Sequence, residues 1–440
     1  MRIGVSIARL LAASAFTFII MWVYMRWLAA GMSYSIWVLL TIWLAMVAVC
    51  LIFQILFHAY HYALNVEPEL QRNTNRGQQS VLKPPFFYEG AQRDNIAATI
   101  RESTSDRVLT YLEKHIALYS SNTYIVRSSE LFNIQKIKHY RFDTVLNLMP
   151  LNQIRGINKM FAVVNDKLPD DGLFVCCVMP QEVVKRNIMK KFPPLVNFVV
   201  YSSLFLYKRV LPKLFMTSRL YYDITEGKNR MLSLAEVLGR LCYCGFEILD
   251  EHKMGDYIYI VARRSFTPQT VQRRLYGMFV SLDRVGKGGK TFTVYKFRTM
   301  HPYAEYLQEY IYNRNSLQEG GKFKHDIRIT TLGRFLRSCW LDELPMILNM
   351  LKGDIKLVGV RPISRQYYSL YSKELQQKRT LHRPGLLPPF YADMPKTLDE
   401  IQASEMKYLT ACEQRGTLPT DFIYFWKILF NITFRHARSK

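Results

Sequence analysis

Residues 325–362 read HDIRITTLGRFLRSCWLDELPMILNMLKGDIKLVGVRP. Asp326 and Arg328 precede a helix carrying Arg334 and Arg337 one turn apart; Asp342 and Glu343 follow side by side. Pro345 suits the first turn of a further helix over Met346 to Leu351, and KLVGVRP delivers Arg361 at the end of a short strand. Adjacent carboxylates repel, so a plain reading is a solvent-facing pair at a helix start, where acidic side chains meet orphan N–H groups. That accounts for the pair but not for the cations on either side.

Upstream, DRVGKGGKTFTVYKFRTM (283–300) adds to them. A Gly-rich basic turn, Gly286-Lys287-Gly288-Gly289-Lys290, leads into the alternating strand TFTVYKF and on to Lys296 and Arg298. Such a hairpin can lay cations and backbone N–H groups against an oligophosphate, although an ordinary exposed β-turn carries the same residues. A phosphoryl-transfer site explains carboxylates and cations together. A nucleotide diphosphate sugar needs its pyrophosphate neutralised, and an aspartate can take the phosphosugar as an acyl phosphate that a second acceptor opens. Arginine suits bidentate phosphate contact, which favours Arg328, Arg334, Arg337 and Arg361.

The rest of the chain sets the context. It has 440 residues, room for two or three domains, and a formal net charge of +24 that calls for an anionic partner or surface. The seven cysteines fit no disulfide scaffold and show no metal-ligand spacing; Cys176-Cys177 and Cys242/Cys244, set inside apolar patterns, read as buried thiols of a reducing compartment. Leu11 to Met25 is uncharged and mostly apolar. After Arg26 no acidic residue, Lys or Arg appears until Glu67, and Tyr34 to Phe57 gives a second apolar run. With a turn at Gly31-Met32-Ser33, the expectation is a transmembrane helical hairpin over 1–64. A cleaved signal peptide leaves the second run unexplained, and two buried core helices are the soluble alternative. The Lys/Arg-rich remainder then lies in the cytoplasm.

Residues 65–98 read as a polar linker. From 99 to 264, helices alternate with strands: a helix over Ser103 to Ala117, strands at NTYIV (122–126), FDTVLNL (142–148) and GLFVCCVM (172–179), then the helix SLAEVLGRLCYCG (233–245) and strands FEILDEHK and DYIYIVARR (256–264). FDTVLNL, DDGLFVCCV and LSLAEVLGRLCYCGFEILDEHKMGDYIYIVARR resemble the later half of a class I methyltransferase fold. No Gly-rich turn of the GxGxG kind follows a strand, so the expectation is a degenerate Rossmann-like domain for scaffolding or regulation, with methyl transfer as the alternative. Within it, FPPLVNFVVYSSLFLYKRVLPKLF (192–215) has an apolar run from Leu195 to Tyr207 followed by Lys208, Arg209 and Lys213. It fits either a re-entrant or interfacial membrane element or a helix packed on the sheet.

From about Asp283 to Arg435 the chain resembles the bacterial sugar transferase family, the single-domain polyprenyl-phosphate phosphoglycosyltransferases. RVGKGGKTFTVYKFRTM is similar to the family's glycine-basic hairpin, DIRITTLGRFLR to its D-P-R-I-T-x-x-G-x-x-L-R stretch, LDELPMILNMLKGDIKLVGVRP to its LDELPQ-x-x-N segment, and DFIYFWKILFNITFR (421–435) to its closing helix. Ile327 stands where the family has Pro, Met346 where it has Gln, Val360 where it has Pro, and HRPGLLPPFYADMP (382–395) lacks its G-x-x-Q-x-x-G-R. The resemblance implies a mixed α/β catalytic domain over 265–440 in an α/β multidomain membrane protein of the bacterial inner membrane. It implies Asp342 as nucleophile, Glu343 assisting beside Mg²⁺ with both carboxylates as ligands, and substrate contacts from Lys290, Lys296, Arg298, Asp326, Arg328, Arg334, Arg337, Arg361 and Arg383. The expected partners are a UDP-sugar donor, undecaprenyl phosphate as acceptor, anionic lipid and other glycan-assembly enzymes. The alternative is an inactive membrane scaffold. Nucleic acid is excluded as a partner, because no zinc module or recognition helix accompanies the charge.

Overall fold

The computed structural model describes residues 14–19, 22–23, 36–61, 64–65, 84–214, 217–268, 277–308, 310–311, 317–318, 322–323, 326–395 and 397–435. One helix, Ile36–His61, is long and apolar enough over Leu40–Phe57 to cross a bilayer. Its 26 residues span about 39 Å at 1.5 Å per residue, more than a hydrocarbon core of about 30 Å. Trp37, Val49 and Phe53 on it are exposed, as lipid-facing side chains would be. Of the first apolar run, 14–19 and 22–23 are helical; the rest of it and the expected turn at 31–33 lie outside the described residues. The Trp43 indole N–H donates to the Ser14 carbonyl (2.8 Å), and the Phe18 and Trp43 rings are 5.1 Å apart.

Just beyond this helix, β1 (Leu64–Asn65) pairs in parallel with Val280 and Ser281. The helix therefore runs directly onto the C-terminal region, past the intervening domain.

That domain is built on a five-stranded sheet: β2 (Thr123–Val126), β3 (Thr144–Asn147), β4 (Leu173–Val178), β5 (Phe246–Met254) and β6 (Tyr257–Arg264), in the order β2-β3-β4-β6-β5. β2, β3 and β4 run parallel; β6 is inserted antiparallel between β4 and β5. LFVCCV in β4 is apolar throughout because both faces are covered. Phe174, Cys176 and Val178 meet the helices Ile157–Lys167 and Leu234–Tyr243 on one side, while Val175 and Cys177 meet the helices Gly90–Ser103 and Asp106–His115 on the other. The helix Gly90–Ser103 begins inside the stretch read as linker, and the expected helix from Ser103 starts at Asp106 after a break. Ala97 and Ile100 draw this segment onto the sheet, which its polar composition conceals.

The C-terminal region opens with the antiparallel pair β7 (Phe279–Val285) and β8 (Thr291–Phe297). Two short strands, β9 (Leu317–Gln318) and β10 (Lys322–Phe323), pair with each other. The helices Thr331–Ser338 and Met346–Leu351 follow, then β11 (Lys356–Val358), which pairs in parallel with β12 (Gly385–Leu387). The helices Lys373–Leu381, Leu398–Arg415 and Thr417–Phe434 enclose a core around Tyr408, Leu409 and Ile428. The expected boundary at 264/265 does not divide the packing, since Tyr303, Leu307 and Ile311 belong to the same core as Leu238 and Phe246. Gly239 is required there: a Cβ would sit 2.2 Å from the Tyr303 carbonyl oxygen.

Candidate active site

Strand alternation divides the end of β8 between two faces. Tyr295 packs at a tilt of 43° against Tyr60 of the membrane-length helix, with ring centroids 4.4 Å apart. Lys296, its neighbour, turns the other way and places Nζ 2.6 Å from Glu343 Oε1. Two residues past the strand, Thr299 fixes the helix Thr331–Ser338. Thr330 caps that helix by accepting from the Gly333 N–H (2.8 Å), and its own N–H and hydroxyl both donate to the Thr299 carbonyl (3.0 and 3.1 Å). The approach is so close that a Cβ at Gly333 would lie 1.9 Å from that oxygen. One turn on, Arg337 Nε donates to Thr299 Oγ1 (2.9 Å), which holds the guanidinium beside the carboxylates.

Asp342 and Glu343 sit in a 3-10 turn, Leu341–Glu343, rather than on an exposed helix start. The residue before it, Trp340, takes φ 61°, a left-handed conformation strained for a bulky side chain, and its ring packs 4.5 Å from Tyr391. The turn is braced from below by Asn349, whose amide donates to the Thr293 carbonyl (2.7 Å) and to Asp354, while its oxygen accepts from the Tyr295 N–H. Asn349 is fully buried and ties the helix after the carboxylates to the strand that carries Lys296.

The electrostatics follow from this partial enclosure. Burial raises the Asp342 carboxyl above its ordinary value; Lys296 pulls it down, Glu343 pushes it up, and Arg337 pulls it down again. Burial lowers Lys296, against the attraction of Glu343, with Arg361 lowering it further. Arg337 is lowered by burial, with Asp342 and Asp326 opposing. Lys296, Arg337, Arg361, Asp342 and Glu343 thus act on one another as a single cluster. Arg361 is exposed, and its carbonyl accepts from Arg379 NH2 (2.6 Å), a side chain buried against Glu405.

The other candidates are placed differently. Asp326 and Arg328 grip each other bidentately (2.7 to 3.1 Å) and are nearly buried, so they brace the helix start at the cluster's edge. Arg298, expected to contact substrate, donates to the Gly277 carbonyl (3.0 Å) and pairs with buried Glu305 (3.8 Å), which makes it a support of the fold. Lys290 is exposed at the hairpin turn, where Gly289 faces Thr380. Arg383 lies over Gly353, and Arg334 is exposed on its helix, close enough to influence His301. Sequence reading passed over Thr299, Trp340, Asn349 and the Arg379–Glu405 pair. Asn349 had a signal, its place in the LDELP-containing stretch, but its two-sided clamp becomes visible only when the helix meets β8.

Among the described residues no group of three or more His, Cys, Asp or Glu side chains gathers that could hold a metal. Lys296 occupies one oxygen of Glu343, which leaves the other oxygen and the Asp342 carboxylate as a donor set. Two carboxylates completed by substrate phosphates is a common way to bind Mg²⁺, so the residues present fit such an ion.

Residues 269–432 match the model of the bacterial sugar transferase family. Over 109 residues the chain is 42% identical to an undecaprenyl-phosphate galactose phosphotransferase of Salmonella typhimurium, covering 24% of this chain and 23% of that protein. It is 41% identical over 108 residues to a galactosyl transferase of Streptococcus agalactiae serotype III, 24% of each chain. A UDP-glucose:undecaprenyl-phosphate glucose-1-phosphate transferase of Xanthomonas campestris pv. campestris is 35% identical over 111 residues, 25% of this chain and 21% of that one. The match spans roughly a quarter of the length of these relatives.

Proposed function

We propose that this protein transfers a sugar phosphate from a UDP-sugar to undecaprenyl phosphate, the step that begins assembly of a capsule, exopolysaccharide or O-glycan. The observation that carries the proposal is the carboxylate pair held in a half-buried turn among Lys296, Arg337 and Arg361. An Asp342 oxygen attacks the phosphorus that bears the sugar, the bond to the uridine phosphate oxygen breaks, and UMP leaves. An oxygen of undecaprenyl phosphate then attacks the same phosphorus and releases the Asp342 carboxylate, giving the diphosphate-linked sugar. Lys296 and Arg337 oppose the rise that burial imposes on the Asp342 carboxyl, and Arg361, exposed beside them, offers a two-pronged contact to the donor's phosphates. Glu343 is held in place by its ion pair with Lys296, which leaves its other oxygen open beside Asp342. Mg²⁺ held by Asp342 and Glu343 would neutralise charge on the leaving phosphate.

In this reading the helix Ile36–His61 spans the inner membrane as one arm of a hairpin, supported by the Trp43–Ser14 bond, and the catalytic region lies in the cytoplasm. The five-stranded domain is a Rossmann-like scaffold without its own chemistry. The test is mass spectrometry of enzyme mixed with Mg²⁺ and a panel of UDP-sugars in the absence of acceptor. A phosphosugar adduct on Asp342, lost in Asp342→Asn together with UMP release, is the expected result. Robust turnover by folded Asp342→Asn overturns the mechanism.

A further inference from the structure

The helix Val196–Phe205 in the five-stranded domain has no buried residue. It follows Pro193-Pro194 and Leu195, which takes φ 70° and is 83% exposed. Leu195, Phe198, Val199 and Leu206 recur at helical spacing and are all exposed, so the apolar stripe faces outward instead of onto the sheet. Leu214, Leu220 and Ile224 extend the exposed apolar surface past the helix. Its border is basic: Lys185, Lys190 and Lys191 are exposed on the preceding helix, Gln181–Lys191, and Arg219 is exposed beyond it.

The far end of this segment is fastened to the catalytic region. The helix runs through a π-helical turn, Leu206–Val210, in which Arg209 is buried. Arg209 donates to the Met231 carbonyl (3.0 Å), pairs with buried Glu236 (3.1 Å) and reaches His301 Nδ1 (3.1 Å). Lys213 and Arg240 close on the same Glu236 carboxylate. The His301 N–H donates to the Arg328 carbonyl (2.8 Å), and Arg334 acts electrostatically on the His301 ring. Arg334 shares its helix with exposed Leu332 and Phe335. The outward apolar stripe is therefore tied to the helix beside the carboxylates through two buried contacts.

We propose that residues 195–206 form an interfacial helix lying in the headgroup layer of an anionic bilayer, so that the five-stranded domain is a second membrane foot of the enzyme. An apolar stripe with a lysine border matches such a surface in both respects. The helix Ile36–His61 supplies proximity, and the Arg209–His301 contact fixes the foot relative to the catalytic turn. A neutral partner protein would use the apolar stripe but leave the lysine border without purpose.

The test uses the full chain in lipid nanodiscs, with exposed Cys50 and Cys339 changed to Ser and a polarity-sensitive dye on Val199→Cys. Glu102→Cys, exposed on the opposite side of the sheet, is the control. The readout is independent of turnover. Brominated phosphatidylglycerol in the disc is expected to quench the dye at 199 and not at 102, and aqueous iodide to do the reverse. Quenching by iodide with no effect of brominated lipid overturns the proposal. So does a dye shielded from both quenchers in discs holding two copies, which would assign the stripe to a second chain. Equal quenching by brominated phosphatidylcholine in discs that hold no anionic lipid overturns the anionic component.

Discussion

Gly333→Ala separates the packing described here from ordinary helix propensity, because the two predict opposite signs. Alanine in an exposed helix should stabilise by about 1 kcal/mol over glycine. At Gly333 the added Cβ would stand 1.9 Å from the Thr299 oxygen, 2.7 Å from its carbonyl carbon and 2.8 Å from its Cα. All three are backbone atoms, so no side chain can swing away. Restoring contact distance requires the helix Thr331–Ser338 to move by about 1 Å, well up the repulsive wall. That movement breaks the two Thr330 bonds to the Thr299 carbonyl and the Arg337 bond to its hydroxyl. At roughly 0.5–1.5 kcal/mol each, their loss outweighs the propensity gain and leaves a net destabilisation of about 1–3 kcal/mol, the range usual for overpacking. Arg337 retreats with the helix, and a 1 Å misplacement near a reacting centre lowers turnover by about 10²-fold. The assay is protease resistance against temperature in detergent, paired with UMP release at saturating donor. A variant that is more heat-resistant than the parent and fully active refutes the reasoning.

Glu343→Gln should lower kcat by about two orders of magnitude and slow adduct formation with it, so single-turnover trapping should label Asp342 only at long times. His301 is buried beside Arg209 and held down to about 3. Below pH 6.5 the unfolded chain takes up a proton that the folded chain refuses, so stability falls with pH from about 6.5 towards 3, by at most about 1.4 kcal/mol per pH unit. His301→Gln keeps an acceptor for Arg209 and removes the titration; its melting temperature should change less between pH 7 and pH 5, and parallel profiles would contradict the assignment. Lys356 joins β11 to the terminal helix through Asp421 (2.7 and 2.9 Å) and to the helix Leu398–Arg415 through Tyr408 (2.9 Å). Lys356→Met should destabilise by about 2 kcal/mol, read as a lower denaturation midpoint, with the larger share recovered in Lys356→Met/Asp421→Leu.

Elements whose apolar pattern is local were legible in the sequence. GLFVCCVM reads as a strand, which the structure then covers on both sides, and Pro345 marks the start of the helix after the carboxylates. The carboxylate pair stood out in the sequence because at least six cations bracket it, although two of these, Arg298 and Arg328, turn out to brace the fold. What escaped depends on chain segments far apart. Nothing in RSCWLDE signals that Trp340 adopts a left-handed turn, since the residue types that usually do so, Gly and Asn, are absent. Arg298 reads as one more cation of the hairpin until Glu305 appears beside it, and the sharing of one core by Gly239 and Tyr303 spans the point where composition suggests a domain boundary. The helix Gly90–Ser103 was missed because only Ala97 and Ile100 bury.

The pairing of β1 with β7 has a consequence for how substrates arrive. His61 ends the membrane-length helix and Leu64 is already hydrogen-bonded into the catalytic sheet, a reach of about 10 Å for three residues. If the chain works as proposed, a leash that short gives the catalytic turn no freedom to rise from the bilayer, and the lipid acceptor is found by a two-dimensional search whose frequency follows its surface density. The proposed nucleotide-sugar donor would arrive from three dimensions. Diluting the acceptor with inert lipid should therefore slow the second half of the reaction, while diluting the whole suspension in buffer at fixed donor concentration should leave the rate per enzyme unchanged.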